Sequence, residues 1–233
     1  MERRQARAIQ EKKELLKNVE TVESLKLFPL SYHSQRLVVL EQVSACYGNP
    51  PIPVSEPVTM EIRNGDRICL RGKNGCGKSS LFRLILGEQT EAAGKIWRGL
   101  GLKISYVSQD TSHLRGSLRE YARAFQVEEH LICALLRKLD FSREQLEKPL
   151  EALSQGQKKK VLIARSLCEQ AHLYLWDEPL NYVDVYSRIQ IQELILKFQP
   201  TMVFVEHDAE FADRVADQIL MMNPATGRSQ IRY

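Results

Sequence analysis

The octapeptide GKNGCGKS, residues 72–79, has the composition of a phosphate cradle. It fits G-x-x-x-x-G-K-[ST] and sits between RICLR (67–71), a short β-rich run, and KSSLFRLILG, which reads as a helix. Gly72, Gly75 and Gly77 let the backbone wrap a phosphate closely, with Asn74 and Cys76 as intervening backbone contacts. The N–H groups of residues 75–80, Ser80 included, are expected to point inward. Lys78 is expected to reach the β and γ phosphates of a nucleotide and the Ser79 hydroxyl to ligate magnesium.

Three further positions extend this chemistry. In HLYLWDEP (172–179) an apolar run leads into Asp177, a carboxylate at the C-terminal edge of a buried strand, where α/β proteins bind ligands. Asp177 there can hold magnesium through water, and Glu178 can polarise an attacking water beside a γ-phosphate. In FVEHD (204–208), His207 ends a strand expected to neighbour that of Asp177, which suits a γ-phosphate contact; a histidine taken alone is more often structural. Gln109 ends ISYVSQ, and its carbonyl can ligate magnesium or hold the water, although by itself it reads as a surface residue. The expected metal ligands are therefore Ser79, Gln109 and Asp177.

A second anion loop follows from LSQGQKKK, residues 153–160. Ser154 and Gly156 open a helix, where unpaired N–H groups and the positive end of the dipole favour an anion. One chain thus carries two phosphate cradles.

The elements that must position these residues alternate between β and α character. RLVVLEQV and VTMEIR are strand-like, with NPPIPVSEP as a loop between them, and LKISYVS (102–108) is another strand. Residues 117–150 are helical in pattern. Helix 157–169, strand HLYLWD, helix 185–198, strand TMVFVE, helix 208–216 and strand DQILMM complete the chain. This alternation predicts a largely parallel sheet covered by helices.

With 233 residues, 43% of them hydrophobic, the chain can form one sizeable domain with or without an appendage. Its net charge of +4 is not diagnostic. Five cysteines without zinc or disulfide spacing suggest reduced thiols in a cytosolic protein, and no apolar stretch approaches the roughly 18 residues of a membrane span. Residues 2–26 form a charged stretch without glycine or proline; six basic side chains face three acidic ones over 2–17. This is a basic, weakly amphipathic helix ending before Pro29, either a solvated appendage or a surface for an acidic partner such as RNA.

Together, these motifs resemble the ATP-binding cassette (ABC) ATPases over residues 36 to about 222. The resemblance implies a P-loop α/β fold: an antiparallel β subdomain, a RecA-like parallel core and a small helical subdomain at about 110–152. The cassette would occupy 34–233, with a linker helix at 1–28. Residues 72–79 then correspond to the Walker A loop, Gln109 to the Q-loop, 173–178 to Walker B, and 179–184, including Asn181 and Asp184, to the D-loop. His207 corresponds to the switch histidine, and Tyr47 to the aromatic that stacks on adenine. The implied reaction is magnesium-dependent hydrolysis of ATP, with Lys78, Glu178 and His207 as its catalytic residues. Two such cassettes pack head to tail, so Ser154, Gln155, Gly156 and Gln157 would contact ATP held by a second cassette or a second copy. Gln155 stands where the signature usually has glycine, and PLNYVD differs from the commoner PTNHLD.

The basic helix ahead of the cassette looks like the second half of the linker in tandem ABC-F proteins, which act on ribosomes. ALSQGQKKKVLIARSL and WDEPLNYVDV resemble the antibiotic-resistance group of these proteins. On that reading the chain is a cytoplasmic C-terminal piece whose residues 2–26 contact ribosomal RNA. An ATP-binding subunit of a membrane transporter is the alternative.

Overall fold

A computed structural model describes residues 29–88 and 91–225. The expected basic helix over 2–26 lies outside the described residues.

Two sheets form the frame. In the first, strand β1 (Arg36–Tyr47) pairs antiparallel with β2 (Ile52–Pro53), β3 (Val58–Arg63) and β5 (Glu91–Arg98). Strand β5 was not legible in EAAGKIWR, whose small residues and glycine lack strand alternation; it is specified by pairing along nearly the whole of β1. A bulge at Gln42 interrupts that pairing (φ 52°), and Gly94 lies so close to the Glu41 and Gln42 carbonyls that a β-carbon there would overlap them. The two-residue β2 falls within the segment expected to be a loop.

The second sheet is parallel, in the order β6 (Ile104–Val107), β7 (Leu173–Asp177), β8 (Met202–Val205), β4 (Arg67–Arg71) and β9 (Gln218–Met221). Its central strands are apolar on both faces. In β7, Leu173 and Leu175 join the core shared with the antiparallel sheet, while Tyr174 and Trp176 join the core beneath the helices. In β8, Val203 and Val205 divide from Met202 and Phe204 in the same way. A period of two with no polar face requires cover on both sides. Helix α1 (Lys78–Leu86) covers one face through Leu81, Phe82, Leu84 and Ile85. Helices α5 (Gln155–Cys168), α6 (Val185–Phe198) and α7 (Ala209–Val215) cover the other. A helical subdomain adjoins α5, built from α2 (Leu118–Ala124), α3 (Glu129–Lys138), the single turn α4 (Arg143–Leu146) and a 3-10 turn at Leu150–Ala152.

Because β4, β6, β7 and β8 are parallel, the loops that follow them leave from one edge. Residues 72–77, 108–112, 178–184 and 206–208 are thereby brought together. The expected neighbour relation between the Asp177 and His207 strands holds, with Asp177 opposite Val205.

Candidate functional site: a phosphate cradle facing a gripped carboxylate

At that edge lies an open cleft of about 510 Å³, lined by Val54, Asn74, Gly75, Gly77, Lys78, Ser79, Ser80, Gln109, Glu178, Asn181 and His207. The loop ahead of α1 needs its glycines. Gly75 and Gly77 have φ of 77° and 93°, and a β-carbon on Gly72 would overlap the Met222 carbonyl. Lys78 is buried and folds back across the loop, donating to the carbonyls of Gly72 (2.8 Å) and Lys73 (3.2 Å). The Cys76 amide donates to the Lys73 carbonyl (3.2 Å), closing the turn.

Asp177 sits beneath the cleft at 1% exposure. Burial raises its pKa above the ordinary carboxylate value; a hydrogen bond from Ser79 opposes this, Glu178 adds to it, and Lys159 and Lys78 oppose it. Its Oδ1 has no hydrogen-bond partner among the described residues. A buried, unpaired carboxylate oxygen beside a serine hydroxyl suits a hard cation that prefers oxygen ligands, so Ser79 and Asp177 fit magnesium. Gln109 turns its amide nitrogen to Glu178, which leaves its carbonyl as the end suited to a cation.

Glu178 is held from several sides. Its backbone takes the left-handed conformation (φ 49°), with its N–H on the Val205 carbonyl (3.1 Å). One carboxylate oxygen, Oε2, accepts from Gln109 Nε2 (2.9 Å) and Asn181 Nδ2 (2.7 Å). The other, Oε1, lies 3.3 Å from His207 Nε2. The resemblance had grouped Asn181 only with the D-loop; the fold puts its amide on Glu178.

Tyr47 does not line the cleft but stands at its rim, 40% exposed, with its hydroxyl 3.0 Å from Ser80 Oγ. Nor do the residues of the second cradle line it. Ser154 caps α5 reciprocally with Gln157: Ser154 Oγ accepts from the Gln157 amide (3.3 Å) and Gln157 Oε1 from the Ser154 amide (2.9 Å). The cap explains why α5 starts at Gln155, two residues before the expected helix. Gln155 accepts from the Thr111 hydroxyl (2.7 Å). Gly156 lies against the Tyr182 carbonyl, with no room for a β-carbon.

Two of the three lysines of QKKK turn inward. Lys159 and Lys160 are both buried. Lys159 donates to the Ser108 carbonyl (3.0 Å); burial depresses its pKa, against the charges of Asp177, Glu178, Glu206 and Asp110. Lys160 donates to the Leu139 carbonyl (2.8 Å) and pairs with Asp184 at 2.6 Å. Asp184 also caps α6. Burial works to raise its pKa, but bonds from Lys160 and Ser187 prevail and hold it at about 2. Sequence reasoning missed Thr111, Lys159 and Glu206. The signal for Lys159 was its place on the helix face shared with Leu162, Ile163 and Ser166. Buried Glu206 accepts from the amides of His207 (2.8 Å) and Asp208 (3.2 Å), which steadies the loop that presents His207.

Comparison with known proteins places this geometry. The family profile described as ABC transporter matches residues 55–181, more than half of the chain. The chain belongs to the ATP-binding cassette family. This cassette is 29% identical over 202 residues to the ATP-binding protein Uup of Caulobacter vibrioides, covering 83% of the chain and 33% of that protein. It is also 29% identical to Uup of Escherichia coli K12, covering 78% and 30%. The ribosome protection protein VmlR of Bacillus subtilis is 26% identical, with 81% and 35% covered. The cassette therefore spans about a third of the length of these relatives. Among solved structures, an ATP-binding subunit of an ABC transporter superposes with a TM-score of 0.69 at 23% identity, covering 80% of this chain and 86% of that one. A bacterial ABC transporter cassette solved as a dimer gives 0.69 at 21%, covering 80% and 94%. These likenesses establish the fold: an ABC cassette of the P-loop α/β class, with its antiparallel and parallel sheets. Among the described residues no helix is long and apolar enough to cross a membrane.

Proposed function

We propose that this cassette binds ATP with magnesium and hydrolyses it to ADP and phosphate, as a C-terminal part of a ribosome-associated ABC-F protein. The observation that carries the hydrolytic reading is the grip on Glu178. A carboxylate beside the phosphate cradle has Oε2 fixed by two amide donors and Oε1 near an imidazole. Glu178 takes a proton from water as the water oxygen bonds to the γ-phosphorus. The bond from that phosphorus to the bridging oxygen breaks, and ADP leaves. Lys78 and the loop amides neutralise charge on the phosphates, and His207, which lines the cleft, contacts the γ-phosphate. Ser79 and Asp177, with Gln109, would hold magnesium, which would supply charge neutralisation on the phosphates.

A second cassette, or a second copy of this one, completes the site. Ser154 and Gly156 lie outside the cleft of their own chain, and Tyr182, against which Gly156 packs, is 77% exposed. The ribosomal part of the reading is supported by the likeness to the ribosome protection protein VmlR and by the basic residues of 2–17. Such residues would hold RNA phosphates with salt-sensitive affinity.

Phosphate release by the purified chain and by Glu178→Gln tests the reaction. Turnover in the parent that the substitution abolishes is expected; equal rates would refute the assignment of Glu178. Cosedimentation with ribosomes, lost on raising salt or deleting residues 2–26, tests the partner. Failure to sediment at low salt would favour the transporter-subunit reading.

A further inference from the structure

The two donors on Glu178 Oε2 sit on irregular segments, and neither Gln109 nor Asn181 belongs to a strand or helix. Some part of the fold must hold them. The contacts of the first turns of α5 identify it.

On one side, the residues flanking Gln109 are both tied to α5. Ser108, just before it, offers its carbonyl to Lys159 Nζ at 3.0 Å. Thr111, two residues after it and 4% exposed, donates its hydroxyl to Gln155 Oε1 at 2.7 Å. Gln155 and Lys159 are four apart and share a helix face. On the other side, Gly156 abuts the Tyr182 carbonyl and Lys160 pairs with Asp184, so the same turns seat the loop that carries Asn181. A lysine is an expensive residue to bury, and Lys159 is 3% exposed. Asp177, Glu178 and Glu206, whose charges favour the ammonium, provide the compensation.

We propose that Gln155 and Lys159 are positioning residues for hydrolysis, acting through Thr111 and Ser108 to hold Gln109 on Glu178. This gives Gln155, the residue in place of a signature glycine, a role within its own chain. It also makes the exposed start of α5 and the donors on Glu178 parts of one rigid unit, so that displacing Ser154–Gly156 displaces the grip on the carboxylate. The inference rests on the hydrolytic reading above.

Thr111→Val and Gln155→Leu each remove the Thr111–Gln155 bond while keeping side-chain bulk. Each is expected to lower kcat about 10-fold with KM for ATP changed less than about 2-fold, because misplacing a catalytic group costs rate and not ground-state binding. The double variant should lose no more than either single one, since both remove the same contact. Thr111→Ser should restore the parent rate. Hydrogen exchange over residues 107–112 provides a readout independent of turnover, and should quicken in both single variants and in Lys159→Met. Unchanged exchange and kcat in Thr111→Val would overturn the proposal, as would additive losses or a KM that rises in proportion. A parent whose phosphate release is indifferent to Glu178→Gln would refute the hydrolytic reading instead, and the exchange data would then decide whether the clamp exists.

Discussion

Asp184 joins the stability of the cassette to the placement of the loop that carries Asn181, and two substitutions separate its jobs. Asp184→Asn keeps a good helix cap on α6 but removes the charge facing Lys160; Asp184→Ala removes both. The depression of the Asp184 pKa from 3.8 to about 2 would be worth roughly 2 kcal/mol if fully felt, at ~1.36 kcal/mol per pH unit. The side chain is 49% exposed, however, and solvent screening brings the ion pair to about 1 kcal/mol. Lys160 keeps its bond to the Leu139 carbonyl, which limits the cost of stranding its charge. Losing the cap adds about 1 kcal/mol. Expected losses are therefore ~1 kcal/mol for Asp184→Asn and ~2 kcal/mol for Asp184→Ala, or about 2–4 °C and 4–8 °C in Tm for a domain of this size. The pH dependence has a definite sign. A carboxylate whose folded pKa lies below its unfolded value stabilises fully above about 3.8, and that contribution is lost as the pH falls toward 2. Thermal melts of both variants, alone and combined with Lys160→Met, form the assay. If Asp184→Asn costs as much with Lys160→Met present as without it, the ion pair contributes nothing and the reasoning fails.

Other outcomes follow from the same geometry. Lys78→Ala should abolish ATP binding measured by titration calorimetry; unchanged affinity would count against the phosphate cradle. Gly156→Ala should slow phosphate release at least about 10-fold, because the added carbon must displace the Tyr182 carbonyl and with it the loop bearing Asn181. Light scattering of Glu178→Gln with Mg-ATP should show a doubled mass if the second cradle recognises a phosphate on another copy. A monomer with ATP demonstrably bound would mean that a different cassette is required.

Much of the site was legible because phosphate chemistry constrains local sequence. Glycine is favoured at the left-handed Gly75 and Gly77 and required by the close approach at Gly72, and a lysine and a hydroxyl at the start of the following helix suit a phosphate and a metal. Asp177 and His207 were legible for a related reason, since an apolar run that ends in a polar residue marks the functional edge of a parallel sheet. Strand β5 and the bulge at Gln42 were not, because small residues take strand conformation only when a neighbour supplies the ladder.

Local sequence thus determined the parallel core, the glycine-rich loop and the order of the candidate site residues, each of which depends on backbone conformation or on periodicity within one segment. The tertiary structure decided what those residues touch. It turned Gln109 and Asn181 onto one oxygen of Glu178, buried two lysines of an apparently basic run, and set Gln155 on Thr111. The contacts of Gln109 with Glu178 and of Gln155 with Thr111 join residues 69 and 44 positions apart, and they arise when parallel strands deliver their loops to one edge beside α5. A hydrogen bond between separate loops has no periodic trace in either segment, so only folding brings its partners together.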